Sequence, residues 1–240
     1  HASAVFSLGG YVAAPVVLAA ASLRLPVVAM EPNAMPGMVT RRLARFVARA
    51  LVNFDEARRF FPSGRSELCG LPVREEFFSL PPKQNGPFTV LITGGSRGSR
   101  TLNRAAVEAF PLFRSVSGSV RLIVQTGEPE NAAVARAFTD SGLQGEVTAF
   151  INDMPEAYAQ ADLIVSRSGA GAVSELAAAG KPSILVPFPF AADDHQRHNA
   201  EAMVRAGAAR LILDADMNGP SLFEAVDAIR TAPDTLSRMA

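Results

Sequence analysis

Short apolar runs recur along this chain, each released into a bend of small residues and then into a stretch with helical spacing. Phe88-Thr-Val-Leu-Ile-Thr93 is the clearest run; Val120–Val124, Glu146–Phe150, Asp162–Val165 and Ser183–Val186 follow. Runs with little polar alternation suit strands buried on both faces, which is the condition of a parallel sheet covered by helices. Between them, 102–113, 131–141, 154–161, 173–179 and 195–206 carry helical spacing. Such alternation predicts an α/β fold with a doubly wound parallel sheet, its ligands at the carboxyl ends of the strands.

An earlier series has the same rhythm on a smaller scale. Ala4–Leu8, Pro26–Met30, Leu51–Phe54 and Glu67–Cys69 read as short strands, with helices expected from Val12 to Leu23 and from Arg41 to Ala50. In the second helix Leu43, Phe46 and Val47 share a face, with Arg41, Arg42, Arg45 and Arg49 elsewhere. Ser79-Leu-Pro-Pro-Lys-Gln-Asn-Gly-Pro87 has no apolar period and reads as a connector. The expected division is therefore a first Rossmann-like unit over 1–74, a linker over 75–87 and a second unit over 88–240. With about three strands the first unit falls short of the four to six of a stable open sheet. Together with the initial His1 in place of Met, this leads us to expect that part of that unit lies upstream.

Charge narrows the function classes. Lys plus Arg and Asp plus Glu both number 23, so no net field favours nucleic acid. Lys83 and Lys181 are the only lysines, and the arginines supply bidentate phosphate partners. The single Cys69 excludes an internal disulfide, fits a reducing compartment and reads as an inert strand-end residue. Tyr11–Leu23, the longest apolar stretch, is shorter than the roughly 20 residues of a membrane span and contains Pro15. A soluble, cytoplasmic chain is expected, with peripheral membrane contact left open.

Three loops carry candidate chemistry. Thr93-Gly-Gly-Ser-Arg-Gly98 joins a strand to a helix, where glycines permit a tight turn and helical N–H groups face an anion. Ser96 adds a hydroxyl, and Arg97 or Arg100 a cation. A short-chain dehydrogenase fingerprint matches as far as Gly98 but meets Arg100 where its last glycine belongs, and neither Tyr11 nor Tyr158 has the Lys four residues on that hydride chemistry needs. In Ser166-Arg-Ser-Gly-Ala-Gly-Ala-Val-Ser-Glu175 small residues leave room for a diphosphate, and Glu175 either accepts hydrogen bonds from a ribose diol or belongs to a capping box. The phosphate loop already placed in the same sheet favours the ribose. The third loop, Pro187 to Asn199, brings Gln196 and Asn199, amides suited to sugar hydroxyls, beside an expected N-cap at Asp193 or Asp194. His195 and His198 lack a metal-ligand spacing, so no metal is expected. In the first unit Asn33 follows a strand and suits a hydroxyl, while Arg74 is equally a solvated hinge residue or a diphosphate partner.

Taken in order, Gly9-Gly-Tyr-Val12, Glu31-Pro-Asn33, Gly70-Leu-Pro-Val-Arg74, Gly94-Gly-Ser-Arg-Gly98, Phe150-Ile-Asn-Asp-Met154, Ser166-Arg-Ser-Gly169 with Ser174-Glu175, and Asp194-His-Gln-Arg-His-Asn199 resemble the MurG family of glycosyltransferases along essentially the whole chain. The resemblance implies a GT-B fold and transfer of N-acetylglucosamine from UDP-N-acetylglucosamine to undecaprenyl-diphosphate-linked N-acetylmuramyl-pentapeptide (lipid I), with inversion, in peptidoglycan synthesis at the cytoplasmic face of the membrane. It implies no cofactor. By motif match Ser96 and Arg74 would contact the donor diphosphate, Ile151 the uracil through its main chain, and Ala170, Gly171, Ala172, Val173 and Ser174 the diphosphate side of the pocket. Glu175 would hold the ribose, and Asn33 and Gln196 the sugar. The family's N-terminal Thr-Gly-Gly-His loop, with its proposed general base, has no counterpart here, so these residues alone are expected to bind UDP weakly and turn over nothing. Ser99, where the family often has Ala, is expected to be harmless. Another UDP-sugar:lipid transferase and a non-catalytic nucleotide-sugar module are the alternatives.

Overall fold

The computed structural model describes residues 2–240. Its first sheet is parallel, in the order β1 (Val5–Ser7), β2 (Val27–Glu31), β3 (Arg49–Val52), β4 (Ser66–Leu68), with α1 (Ala13–Ser22) and α2 (Met38–Leu43) as crossover helices. All four short strands read from the sequence are present, one more than the count of about three that marked the unit as incomplete, with β3 starting earlier than the expected Leu51. The helix expected over Arg41–Ala50 ends early: α2 stops at Leu43, a 3-10 turn covers Ala44–Phe46, and Arg49–Val52 pairs with Val28–Glu31. Leu43, Phe46 and Val47 do pack on the core as their spacing suggested. Ala50 and Val52 are wholly buried, however, and their backbone groups find partners in the ladder rather than in another helical turn.

The second sheet contains β5 (Phe88–Thr93), β6 (Val120–Gln125), β7 (Gln144–Thr148), β8 (Leu163–Ser166), β9 (Ser183–Leu185) and β10 (Ala209–Leu211). All pair in parallel, in the order β10-β9-β8-β5-β6-β7. Its helices are α3 (Arg100–Arg114), α4 (Asn131–Ser141), α5 (Met154–Gln160), α6 (Ala170–Ala179), α7 (His195–Arg205), α8 (Gly219–Arg230) and α9 (Pro233–Met239). β7 starts before the expected Glu146 because Gly145 lies on the neighbouring strand: a Cβ there would stand 1.8 Å from the Leu122 carbonyl oxygen. β10, α8 and α9 had no counterpart in the sequence reading, although Asn218 and Ser221 form a capping box that opens α8.

Alternate residues of β5 feed opposite cores. Val90 and Ile92 pack with Leu102, Phe110, Phe113 and Val226, whereas Leu91 packs with Ile123, Ile164, Leu176 and Met203. From β5 the chain winds outward to β6 and β7, then returns to β8 and winds the other way. The crossovers therefore diverge between β5 and β8, and no helix covers the strand ends there.

The stretch 75–87 is more ordered than a connector needs to be. Glu75–Ser79 forms a 3-10 turn, and Phe77, only 1% exposed, enters the second core edge-on to Tyr158 at 5.0 Å. Replacing Phe77 by Ala should cost about 3 to 5 kcal/mol, whereas Phe78→Ala at the neighbouring position, 65% exposed, should stay within about 0.5 kcal/mol. Urea unfolding followed by circular dichroism checks the pair, and equal losses would contradict the anchoring.

Candidate functional site

A cleft of about 610 Å³ opens where the two halves of the second sheet diverge, bordered by Gly95, Arg100, Thr101, Arg167, Glu175 and Gln196 among others. Its floor is the ends of β5 and β8, Thr93 and Ser166. The glycines of the first loop serve two needs. Gly95 has φ +82° with open space at its Cβ position, so only its backbone conformation demands glycine. Gly98 lies against the turn after β6, where a Cβ would approach the Thr126 carbonyl oxygen to 1.8 Å.

Two helix N-termini converge on this cleft. α3 is capped by Ser99, whose Oγ accepts from the Leu102 N–H at 3.3 Å, and its first full helical bond runs from Asn103 N to Ser99 O. Arg100 and Thr101 thus keep N–H groups without a helical partner. α6 has Gly169 at its N-cap and no side-chain cap, and its first bond runs from Val173 N to Gly169 O. The N–H groups of Ala170, Gly171 and Ala172 remain for a ligand. Neither helix carries an acidic residue in its own first turn. At α6 the positive dipole end has no acid of its own, while at α3 the Asp214 carboxylate, paired with Arg167, accepts from Thr101 Oγ1 at 3.1 Å.

Glu175 lies a full turn beyond these N–H groups, in a helix whose N-cap has no side-chain bond, so the capping-box reading does not hold. Its carboxyl is half buried, and desolvation pushes its pKa up while the Arg74 guanidinium opposes that rise. Tyr158, buried beside it, has its phenol pushed far up by burial and then by the Glu175 charge. Arg74 itself is exposed, with its guanidinium over the Phe77 ring at 5.1 Å.

The other expected residues divide. Ala172, Glu175 and Gln196 line the cleft, and Ser96 is exposed in the loop beside Gly95. Val173 is 1% exposed and turned into the core, and the Ser174 hydroxyl accepts from Asn53 Nδ2 at 3.1 Å. Of the expected lining over 170–174 only Ala172 borders the cleft, next to Gly169, while Ala170 and Gly171 lie in the same first turn of α6. Ile151 donates its N–H to Gln125 Oε1 at 2.9 Å, which leaves only its carbonyl for a base. Asn33 is half buried and engaged: Glu31 Oε1 accepts from its Nδ2 at 3.4 Å, and its Oδ1 accepts from Asn199 Nδ2 at 3.1 Å. Asn199, expected to read sugar, is 0% exposed and spends its amide on Ala34 N, Asn33 and the Ser168 carbonyl, pinning the two units together. Asp194 begins α7 without a side-chain cap. Asp193 instead caps a helix of the other unit, accepting from Met38 N at 2.9 Å and from Arg41 at 3.3 Å.

Arg167 escaped the sequence reading. Its Nη1 donates to the Val186 and Pro187 carbonyls at 3.1 and 3.2 Å and to Asp214, while its Nη2 donates to Ser99 Oγ at 2.7 Å. Ser99, expected to be harmless, is therefore both helix cap and acceptor for this guanidinium. The Arg167–Asp214 side chains are 14% and 20% exposed, so breaking the pair should cost about 3 to 5 kcal/mol. The open Arg58–Asp55 pair is worth under about 1 kcal/mol. A lone arginine in a loop of small residues was the available signal; its partner lies too far along the chain to be read from spacing.

Residues 89–240 match the glycosyltransferase family 28 C-terminal domain, and residues 1–52 the family 28 N-terminal domain. The chain belongs to glycosyltransferase family 28. A family relative from Solibacter usitatus, UDP-N-acetylglucosamine--N-acetylmuramyl-(pentapeptide) pyrophosphoryl-undecaprenol N-acetylglucosamine transferase, is 62% identical over 99% of this chain and 65% of its own length. The transferase of the same name from Geotalea uraniireducens is 40% identical over 94% of this chain and 64% of its length. The crystal structure of Acinetobacter baumannii MurG superposes with a TM-score of 0.84 at 32% identity, covering 99% of this chain and 68% of that one. The chain thus spans about two thirds of the length of its family 28 relatives.

The raised Glu175 pKa makes a signed prediction. Because burial disfavours the carboxylate, its contribution to stability is fully present below the unfolded-state value and lost as pH rises through the folded one. Glu175→Gln should therefore melt higher than the parent at about pH 8, and the gap should close near about pH 4. Thermal melts at both pH values test this, and a gap independent of pH would refute it.

Proposed function

We propose that this chain is the donor-binding part of an inverting hexosyltransferase that moves N-acetylglucosamine from UDP-N-acetylglucosamine to undecaprenyl-diphosphate-linked N-acetylmuramyl-pentapeptide, making lipid II for peptidoglycan. One observation carries the reading: two helix N-termini, both without a first-turn acid, meet in a single cleft at the switch point of a parallel sheet. The relatives' printed names supply the donor and acceptor. UDP leaves with charge gathering on its β-phosphate, and free N–H groups with nearby cations lower that cost without an added ion.

In this assignment the N–H groups of Ala170, Gly171 and Ala172, with Ser96 and Arg74, bind the diphosphate. Glu175 takes the ribose diol, the Ile151 carbonyl the uracil, and Gln196 the sugar. Asn33 reads a hydroxyl with the second Nδ2 hydrogen and the second Oδ1 lone pair, which its bonds to Glu31 and Asn199 leave over. Inversion needs in-line attack by the acceptor hydroxyl and a base to take its proton; no base is assigned among these residues. The acceptor is a lipid, and no helix among the described residues is long and apolar enough to cross a membrane, so the proposal includes peripheral attachment at the cytoplasmic face.

Isothermal titration should show UDP-N-acetylglucosamine and UDP binding and GDP-sugars not. Arg74→Ala and Ser96→Ala should each weaken the donor about tenfold, as expected for one charge-assisted hydrogen bond. Equal binding of GDP-sugars, or variants indistinguishable from the parent, would reject the assignment. Turnover of a lipid I analogue by the full-length gene product then separates an enzyme from a binding module.

A further inference from the structure

Gln196 lines the cleft, yet half of its amide is already spent. Its Oε1 accepts from the Phe188 N–H at 2.9 Å, and its Nε2 has no protein partner among the described residues. An unrestrained glutamine presents either end to a ligand by flipping. Here the flip is disfavoured, because it would set the amide NH2 against a backbone N–H that can only donate. Gln196 therefore faces the cleft as a donor.

What holds the Phe188 N–H in place is the segment just before it, and that segment is gripped by Arg167. The guanidinium donates from Nη1 to the carbonyls of Val186 and Pro187 at 3.1 and 3.2 Å and lies 5.6 Å from the Phe188 ring centroid. Asp214 fixes the guanidinium from the opposite side and is itself held by Thr101 Oγ1 at 3.1 Å. The remaining edge of the same fork donates from Nη2 to Ser99 Oγ at 2.7 Å, at the cap of α3. One planar cation thus ties the end of β9 to the helix start that faces the diphosphate.

We propose that the Arg167–Asp214 pair is a positioning device for donor-sugar recognition, locking the Gln196 amide as a one-way hydrogen-bond donor toward an acceptor oxygen of the sugar. The inference rests on the reading that this cleft binds a UDP-sugar. A lysine keeps the charge at residue 167 but lacks the fork that reaches both carbonyls and Ser99 together. Asp214→Asn keeps the shape and removes the charge that orients the fork.

The test is calorimetric titration of this chain with UDP and with UDP-N-acetylglucosamine, reading the ratio of the two affinities. Arg167→Lys and Asp214→Asn should lower that ratio about tenfold, the discrimination carried by roughly one oriented hydrogen bond. Ser99→Ala, which removes the α3 cap together with its tie to Arg167 but leaves the two carbonyl contacts of the fork, should weaken both ligands together and leave the ratio unchanged. Gln196→Glu, which turns the free donor into an acceptor, should abolish the preference for the sugar-bearing ligand even if the arginine variant does not fold. A parent chain that binds neither ligand would refute the cleft assignment itself. Normal parent binding with the ratio lowered in Gln196→Glu but unchanged in Asp214→Asn would overturn the positioning role alone, and a ratio unchanged in both would overturn the Gln196 contact with it.

Discussion

Between β5 and β8 the second sheet reverses its winding, and the uncovered gap this leaves is the constraint on which the site depends. Each strand there delivers its chain into a helix start, so backbone N–H groups lacking helical partners collect at one place. Burying them against a protein partner would end their use, and exposing them wholly to water would dilute their field. A cleft of about 610 Å³ is the intermediate condition. The packing around it is correspondingly tight: Gly98 has no room for even a methyl group beside the Thr126 carbonyl.

The joint between the two units obeys different physics. Its named contacts are polar and directional: Asn199 to Ala34 and Asn33, Asn53 to Ser174, and Asp193 to the start of α2. Asp193 and Asp194 both sit at positive φ, 51° and 53°, a conformation that costs non-glycine residues free energy and that Asp tolerates better than most. The cap that Asp193 places on α2, with its ion pair to Arg41, offsets that cost across the interface. The seam is not polar throughout, since Phe54 and Val73 of the first unit pack against the second core.

Legibility in the sequence followed the range of the interaction. The continuous apolar run of β5 and the spacing of α4 needed only neighbouring residues, and both were read from the chain alone. Gly94–Gly98 and the small residues before Glu175 were legible as strand-to-helix turns because turn chemistry is local. Arg41–Ala50 was misread for the complementary reason. Its helical periodicity is real, but pairing of Arg49–Val52 with β2 outweighed it, and no local signal records a ladder formed across the sheet. Asn199 failed similarly: an amide suited to sugar is equally suited to pinning two backbones, and its burial is decided by the other unit.

By itself, then, the sequence determined the alternating parallel architecture and the glycine-rich turns between strands and helices, since each rests on periodicity or on residues a few positions apart. Tertiary structure alone decided which of those loops share a cleft, that Val173 and Asn199 serve packing rather than a ligand, and that Arg167 joins Ser99, Val186 and Asp214 around one guanidinium. The physical reason is distance along the chain. Hydrogen bonds and burial between far-apart segments exist only once the sheet has ordered its strands.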